Sequence, residues 1–326
     1  MGILKYYSAG QSTPDGGEPM PKKKTELPLV VLMLVILVST TSCSSIASKQ
    51  EPIQLDEKMV YIPPGTFLMG SPDAQGEKNE RPQHEVSVSG FWMDACELTN
   101  RRFKEFIDAT GYVTDAEKRG KAWIWDEQWK EMAGADWRHP KGPSSSIETI
   151  MDHPVVQVSW NDATAYCNWA AKRLPTEAEW EYACRCGTLT AYSAGNTISH
   201  DHANYFGSEE LDIWDGTSPA ASFPPNPFGI YDMHGNVWEW CLDYYDDAFY
   251  SRSPGLNPLN EASAPYRVMR GGAWDYCPLG MRSAYRGADF PFSASDARGF
   301  RCVKPIDSPE WQSTPPQKGE TKGMGD

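Results

Sequence analysis

Residues 226–240 combine oxygen-bearing side chains with glycines in a pattern that fits neither a helix nor an alternating strand. The oxygen-bearing side chains are those of Asp232, Asn236 and Glu239. Gly229 and Gly235 let the backbone turn tightly and present its carbonyl oxygens. Carboxylates beside such carbonyls suit a hard cation such as Ca²⁺, which takes about six to eight oxygen ligands. The stretch therefore predicts a calcium-binding loop, and the alternative is an irregular loop held in place by Trp238 and Trp240.

Histidines and cysteines are the other candidates for chemistry. His200 and His202 could bind a transition metal, but two histidines in an aspartate-rich loop are more often surface residues. The spacing reveals no phosphate-binding loop and no nucleophile–base pair. The eight cysteines are Cys43, Cys96, Cys167, Cys184, Cys186, Cys241, Cys277 and Cys302.

The cysteines are interpreted through the N-terminal segment. A basic stretch at 20–26 precedes an apolar run of 12 residues at 27–38, which is typical of a secretory signal. The run is short for a membrane-spanning helix, which needs about 20 residues. Small residues then lead to Cys43 in a stretch that resembles a bacterial lipobox, so we expect lipidation of Cys43; the alternative is a soluble exported protein. With Cys43 lipidated, an odd number of cysteines remains, and at least one must be free or intermolecular.

Composition restricts the class of protein. The net charge of −14 and a pI of about 4.9 argue against a nucleic-acid partner. We divide the chain into an N-terminal extension and signal peptide (1–42), a tether (43–58), one folded domain (59–304) and a disordered tail (305–326). The protein is expected to be exported and anchored in the cell envelope through its lipid, in the periplasm or at the cell surface.

The elements that position these groups are short. Two apolar runs around a Pro-Pro-Gly turn predict a hairpin over 59–70, and another strand is expected over 85–93. Helices are predicted from 99 to 111, from 159 to 173 and from 176 to 184, the last with a capping box of Thr176 and Glu179. The tryptophan-rich stretch 111–143 is predicted to be a long functional or mobile loop.

Four blocks carry a family resemblance. They are Val-Ser-Trp-Asn-Asp-Ala at 158–163, Lys-Arg-Leu-Pro-Thr-Glu-Ala-Glu-Trp-Glu-Tyr at 172–182, Gly-Asn-Val-Trp-Glu-Trp at 235–240, and Arg-Gly-Gly-Ala-Trp at 270–274 with Gly-Phe-Arg at 299–301. In this order they resemble the formylglycine-generating-enzyme, or sulfatase-modifying-factor, family. The resemblance implies a loop-rich α+β fold that is similar to an elaborated C-type-lectin-like fold.

The same resemblance implies two calcium sites. In the first, Asn204 and Asp212 would be side-chain ligands, and Tyr205 and Trp214 would donate backbone carbonyls. The ligands of the second would be Asp232, Gly235, Val237 and Glu239. It also implies a disulfide between Cys167 and Cys302, whereas the partner position of a second family disulfide, opposite Cys184, is Ser283 here.

The catalytic members of the family hold Cu(I) with two cysteines, for which soft thiolates are natural ligands. Here only Cys277 is present, Arg282 stands five positions later, and the loop is shortened. Met281 could complete a thiolate–thioether copper pair with Cys277, but a lone cysteine is more often a disulfide half or an inert thiol.

Two classes of function follow from the resemblance. The first is a non-catalytic member that binds a polypeptide, such as a sulfatase or an envelope protein, in a groove near Trp238, Trp274 and Arg286. The second is an oxidase that converts a sulfatase cysteine to formylglycine with copper and O₂, with Cys277 as the catalytic residue. The incomplete cysteine pair favours the first class. The charge of Arg282 and Arg286 would suit an acidic partner.

Overall fold

The computed structural model describes residues 58–72, 75–207 and 213–306, which form a loop-rich α+β architecture as predicted. The strands are β1 (Met59–Ile62), β2 (Gly65–Met69), β3 (His84–Val88), β4 (Phe91–Asp94), β5 (Lys121–Asp126), β6 (Gln128–Ala133), β7 (Trp238–Tyr244), β8 (Arg267–Arg270), β9 (Gly287–Asp289), β10 (Arg298–Gly299) and β11 (Val303–Pro305). The helices are α1 (Asn100–Thr110), α2 (Asp115–Arg119), α3 (Trp160–Trp169) and α4 (Glu177–Arg185). The predicted lipidation site Cys43 lies outside the described residues.

The strands assemble into two small sheets and two hairpin-like pairs. Strand β4 is the middle of an antiparallel three-stranded sheet between β1 and β11. The order in the four-stranded sheet is β10-β7-β8-β9, with β10 parallel to β7. Strands β2 and β3 pair with each other, as do β5 and β6. The hairpin predicted over 59–70 is therefore wrong in its pairing, because β1 pairs with β4 and β2 with β3.

Local capping explains the helix boundaries. The Thr99 side chain accepts from the Arg102 amide at the start of α1, and Gly111 ends that helix with a φ of 66°. Capping boxes begin α3 and α4, and the predicted box of Thr176 and Glu179 is confirmed. Helix α3 ends at Trp169, four residues before its predicted end.

The stretch 111–143 contains α2 and the β5–β6 pair. Trp137, within this stretch, is 1% exposed in the larger apolar cluster and packs edge-on against Phe103 of α1. The prediction of a long loop is therefore wrong, because the stretch folds into a helix and a strand pair, with Trp137 in the core and Trp125 and Trp129 packed against it.

Strand β7 connects the core to the candidate site. Trp238 and Trp240 belong to one apolar cluster, whereas Cys241 belongs to a second. Buried ion pairs surround the strand, including Arg301 with Glu239 and Arg270 with Glu181. Within the described ranges, no helix is both long and apolar enough to cross a membrane.

Candidate functional site

The loop before β7 has the conformation that its sequence suggested. Asp232, Gly235 and Asn236 all have positive φ, at 54°, 80° and 60°. Glycine and short polar residues tolerate this left-handed region best. A Cβ on Gly235 would lie 2.2 Å from the carbonyl oxygen of Asn204, so only glycine lets the two predicted calcium loops approach this closely.

Two buried carboxyl groups near this loop have unused oxygens. Asp232 Oδ2 accepts from the Ala221 amide at 2.5 Å, but its Oδ1 has no hydrogen-bond partner among the described residues. Both carboxyl oxygens of Glu97, which is 1% exposed, are likewise buried and accept no N–H group within the described ranges, whereas a hydrogen bond with Glu97 partly offsets the rise in the pKa of Asp232. Burial raises the pKa of Asp232 to about 6. Burial first, and then the nearby Asp232, raises the pKa of Glu97 well above its usual range.

The contacts of Glu239 differ from those predicted for a cation ligand. Its carboxylate accepts from Arg301 Nη2 at 2.6 Å, from Arg301 Nε at 2.7 Å and from Trp180 Nε1 at 2.8 Å. The free carboxyl oxygens at this place belong instead to Glu97 and Asp232, while Gly235 and Val237 lie on the connecting loop. Sequence reasoning missed Glu97 because it stands far from the loop in the chain and just before a helix cap.

The first predicted calcium loop meets the second through Asn204. The Asn204 carbonyl accepts from the Asn236 amide at 2.9 Å, and Asn204 Nδ2 donates to the Gly216 carbonyl at 2.8 Å. Asn204 Oδ1 is buried and has no partner in the described part of the chain. Tyr205 and Trp214 lie on the same loop as predicted, whereas Asp212 lies outside the described residues.

The residues present fit an oxygen-liganded cation better than a transition metal. Among the described residues, no group of three or more His, Cys, Asp or Glu side chains is arranged to hold a metal ion. A cation here would therefore need amide and backbone oxygens beside Glu97 and Asp232, a donor set that suits Ca²⁺. His200 stacks on Tyr205 at 3.9 Å instead of joining such a group.

The residues after Gly272 do not fit a bis-thiolate Cu(I) site. Cys277 is partly exposed and precedes the short 3₁₀ turn Pro278–Met281. The Met281 side chain is fully buried in a cluster with Tyr192 and Tyr205. Arg282, five positions after Cys277, donates to both carboxylate oxygens of Glu80 at 2.6 and 2.8 Å.

The three residues predicted to share a groove have different surroundings, although Trp238 and Trp274 belong to the same apolar cluster. Trp274 lines a cleft of about 260 Å³ together with Lys141, His153, Trp214, Asp215 and Asp296. Trp238 is 8% exposed and packs against the rings of Tyr276 and Tyr285. Arg286 is 4% exposed and binds both oxygens of Glu177, at 2.7 and 2.8 Å, so it stabilises the interior and does not face a ligand.

Cysteine positions agree with the family pattern in part. The Sγ atoms of Cys167 and Cys302 lie 3.0 Å apart, and both residues are buried. Cys184 Sγ lies 3.5 Å from Ser283 Oγ, so Cys184 is close to the position that the resemblance implies for its partner. The seven cysteines of the described region are free thiols in the structure.

Comparisons with known proteins agree with these features. The family model described as "Sulfatase-modifying factor enzyme 1-like domain" matches residues 45–306. The chain is 40% identical over 291 residues to the formylglycine-generating enzyme of Mus musculus, covering 79% of this chain and 77% of that protein. It is 36% identical over 285 residues to the inactive Cα-formylglycine-generating enzyme 2 of the same organism, covering 78% and 88%.

A solved structure shows the same fold. PvdO from Pseudomonas aeruginosa superposes with a TM-score of 0.64 at 29% identity, covering 76% of this chain and 94% of that one. The predicted fold of this family is therefore confirmed.

Proposed function

This chain belongs to the sulfatase-modifying factor family, whose members include formylglycine-generating enzymes and inactive relatives, and from that premise we propose that it is a non-catalytic, polypeptide-binding member. One observation carries the proposal: the expected pair of cysteines spaced five apart is incomplete, since Arg282 stands five positions after Cys277 and is bound to Glu80. One thiolate, from Cys277, does not provide the two soft anionic ligands of a Cu(I) site. Met281 is uncharged and buried away from the surface, so it does not replace the missing thiolate.

The binding half of the proposal rests on the cleft beside Trp274. Its volume of about 260 Å³ suits one or two side chains of an extended segment rather than a whole cofactor. The cleft combines apolar walls with charged groups from Lys141, Asp215 and Asp296, which is typical of a site that orients a polar partner. A sulfatase or an envelope protein is the expected class of partner, because the family acts on polypeptides.

The alternative function is a formylglycine-generating oxidase with an altered copper site. The test is to incubate a cysteine-containing sulfatase-motif peptide with the copper-treated protein and O₂, and to follow its mass. A two-cysteine relative serves as the positive control. We expect the peptide to keep its thiol mass, or to turn over at a small fraction of the control rate. Conversion of the thiol to an aldehyde that is abolished by Cys277→Ala would establish the oxidase.

We also infer that calcium is the resident cation of the two loops. Support comes from the buried, unpartnered oxygens of Asn204, Asp232 and Glu97, since leaving such atoms unsatisfied is costly. Bound Ca²⁺ would supply positive charge to these oxygens. It would also hold the two loops together, because the Asn204–Asn236 contact already joins them.

The cellular setting is part of the same proposal. Residues 20–43 have the organisation of a signal peptide followed by a lipidation site. We therefore expect an exported protein that is held at the membrane through Cys43, in the periplasm or at the cell surface. An oxidising compartment would also favour a bond between Cys167 and Cys302. The acidic net charge of −14 gives no reason to expect a nucleic-acid partner.

A further inference from the structure

We propose that the outward face of the sheet formed by β1, β4 and β11 lies on the lipid bilayer, with Tyr61 and Trp92 among the phospholipid headgroups. The inference rests on the proposed membrane anchoring through Cys43 and goes beyond it, because it specifies which surface of the folded domain contacts the membrane. It is independent of the cleft beside Trp274 and of the polypeptide partner.

The three strands have one buried and one exposed face, since successive side chains of a strand point to opposite sides. Tyr61 lies opposite Trp92 in the antiparallel register, and Trp92 lies opposite Lys304, so these three side chains form one row on the outward face. Tyr61 is 43% exposed and Trp92 is 41% exposed. The inward positions are at most 1% exposed; they are Ile62, Phe91, Met93 and Val303.

The exposed apolar side chains of this face touch one another. The ring centroids of Tyr61 and Trp92 are 5.4 Å apart. A Cβ on Gly90 would lie 2.7 Å from the Tyr61 hydroxyl oxygen, 2.9 Å from Ile306 Cδ1 and 3.1 Å from Pro64 Cδ, so these groups converge over the glycine. Ile306 is 45% exposed. Single exposed apolar residues are common on any protein, whereas a contiguous group of them indicates an interaction surface.

The residue types on this face suit phospholipid headgroups. Tryptophan and tyrosine are enriched where a membrane meets water, because each ring combines an apolar body with a polar N–H or O–H group. Lys304 is exposed beside Trp92 and can meet a lipid phosphate. The acidic residue in the outward row, Asp94, is paired with Lys172 at 2.6 Å. The described residues therefore leave this face positive, although the chain carries a net charge of −14.

The position of the face in the chain favours a bilayer over other occupants. Strand β1 begins 16 positions after Cys43, a connection that spans at most about 55 Å when fully extended. A lipid on Cys43 would keep β1 within that distance of the membrane, so that even a weak contact becomes effectively intramolecular. A symmetric contact between two copies would instead bring the same positive face against itself, which its charge disfavours.

The test is quenching of tryptophan fluorescence by lipids with brominated acyl chains. The full chain is purified from membranes and reconstituted in vesicles of brominated phosphatidylcholine and phosphatidylglycerol. The reference protein carries Trp311→Phe, because Trp311 follows the face in the chain and would add its own signal. We expect the reference protein to be quenched, and Trp92→Phe to remove roughly half of that quenching or more.

Two further variants make the result specific. Trp169→Phe is the matched control, since Trp169 is 42% exposed on α3, and it should keep the full quenching. Lys304→Glu should reduce the quenching more in vesicles that contain phosphatidylglycerol than in vesicles of phosphatidylcholine alone. An equal effect of Lys304→Glu in the two kinds of vesicle would overturn the role of its charge. Thermal unfolding of each variant shows that it is folded.

The remaining outcomes separate this contact from the anchoring on which it rests. A reference protein that floats with the vesicles and is quenched no more than Trp92→Phe would overturn the contact and leave the anchoring standing. Failure of the reference protein to float would overturn both. A dimer in detergent that Trp92→Glu dissociates would also overturn the contact, because a second copy of the chain would then cover the face.

Discussion

Buried carboxyl groups in this protein fall into two classes according to their partners. Glu177 is paired with Arg286 and Arg270, and although burial alone would raise its pKa, these guanidinium groups hold it below the usual range. Asp296 and Asp275 form no close ion pair among the described residues, and burial raises their pKa values to about 7 and about 6 against the smaller lowering effects of Lys141 and Arg298. Paired carboxylates hold the fold together, whereas raised and unpaired ones mark candidate functional sites.

The difference leads to a stability prediction for Asp296→Asn. The pKa of Asp296 rises from 3.8 to about 7 on folding, so the folded protein binds this proton more tightly than the unfolded chain. Stability therefore falls as the pH rises from about 4 to about 7, since the folded carboxyl must ionise in a buried place. Asparagine avoids this cost, and we expect a gain on the order of 2 kcal/mol at pH 8.

The measurement is thermal or denaturant unfolding of wild type and Asp296→Asn at pH 5 and pH 8. The gain should be much smaller at pH 5, where the carboxyl is already protonated. Equal effects at both pH values would show that burial does not disfavour the ionised form.

At the scale of elements, sequence predicted what is local and missed what is long-range. The cap of α1 at Thr99 or Asn100, its end at Gly111 and the Thr176 box of α4 were predicted because these residues act within a few positions of the helix ends, and the structure has Thr99 as the cap. The strands β1 and β2 were recognised, but their partners were not, since pairing with β4 and β3 is decided by contacts made elsewhere in the fold. The 111–143 region was predicted to be a loop because its tryptophans show no helical or strand periodicity. The burial of Trp137 in the core depends on contacts that the sequence does not show.

The contact of helix α3 with the segment before β11 predicts a disulfide. Cys167 and Cys302 are separated by 135 positions in the chain and their sulfurs lie 3.0 Å apart. A bond that closes so long a loop should stabilise the domain by roughly 4–5 kcal/mol before strain. Peptide mapping of exported protein without reductant should recover the two cysteines in one cross-linked fragment.

The control variant for this prediction is Cys241→Ser. Cys241 is buried, and within the described contacts its thiol donates a hydrogen bond only to the Glu239 carbonyl. It should leave the cross-linked fragment intact, whereas Cys302→Ser should abolish it. Recovery of Cys167 and Cys302 as free thiols from exported material would remove the disulfide.

At the scale of the whole molecule, the candidate sites depend on residues that the chain brings together from far apart. Calcium binding at residues 226–240 was predicted from sequence because the glycines and oxygen donors of this stretch are contiguous, and it stays a prediction. Glu97 and the roles of Arg282 and Arg286 were missed because the sequence alone does not show which charged residues contact each other in the folded protein. Arg282 meets Glu80 across 202 positions, and Arg286 meets Glu177 across 109.

Anchoring is a second property of the whole chain. Cys43→Ser removes the thiol that would carry the lipid, so the protein should leave the membrane fraction or keep an uncleaved signal. Cys277→Ser, at a partly exposed cysteine of the folded domain, is the control and should fractionate like wild type. If the Cys43→Ser protein matures and fractionates like wild type, the anchor lies elsewhere.

Calcium should raise the free energy of unfolding of the whole domain, because its expected ligands come from three separate parts of the chain. These parts are Glu97, the loop of Asn204 and the loop of Asp232. Ligand linkage gives about 3 kcal/mol at a hundredfold excess of free Ca²⁺ over Kd. Chelation should therefore lower the melting temperature by roughly 5–10 °C, and added Ca²⁺ should restore it.

Glu97→Gln separates a cation from the competing explanation, a proton shared between Glu97 and Asp232. If calcium binds there, glutamine removes one of the two carboxylates that attract it, and most of the calcium-dependent stabilisation should be lost. If a proton is shared, glutamine replaces a neutral carboxyl with a neutral amide, and chelation should change nothing in either protein. Glu131→Gln, at a half-exposed surface ion pair, is the matched control and should keep the full response to calcium. A melting curve of wild type that is the same with and without chelator would show that these buried oxygens are satisfied by protons.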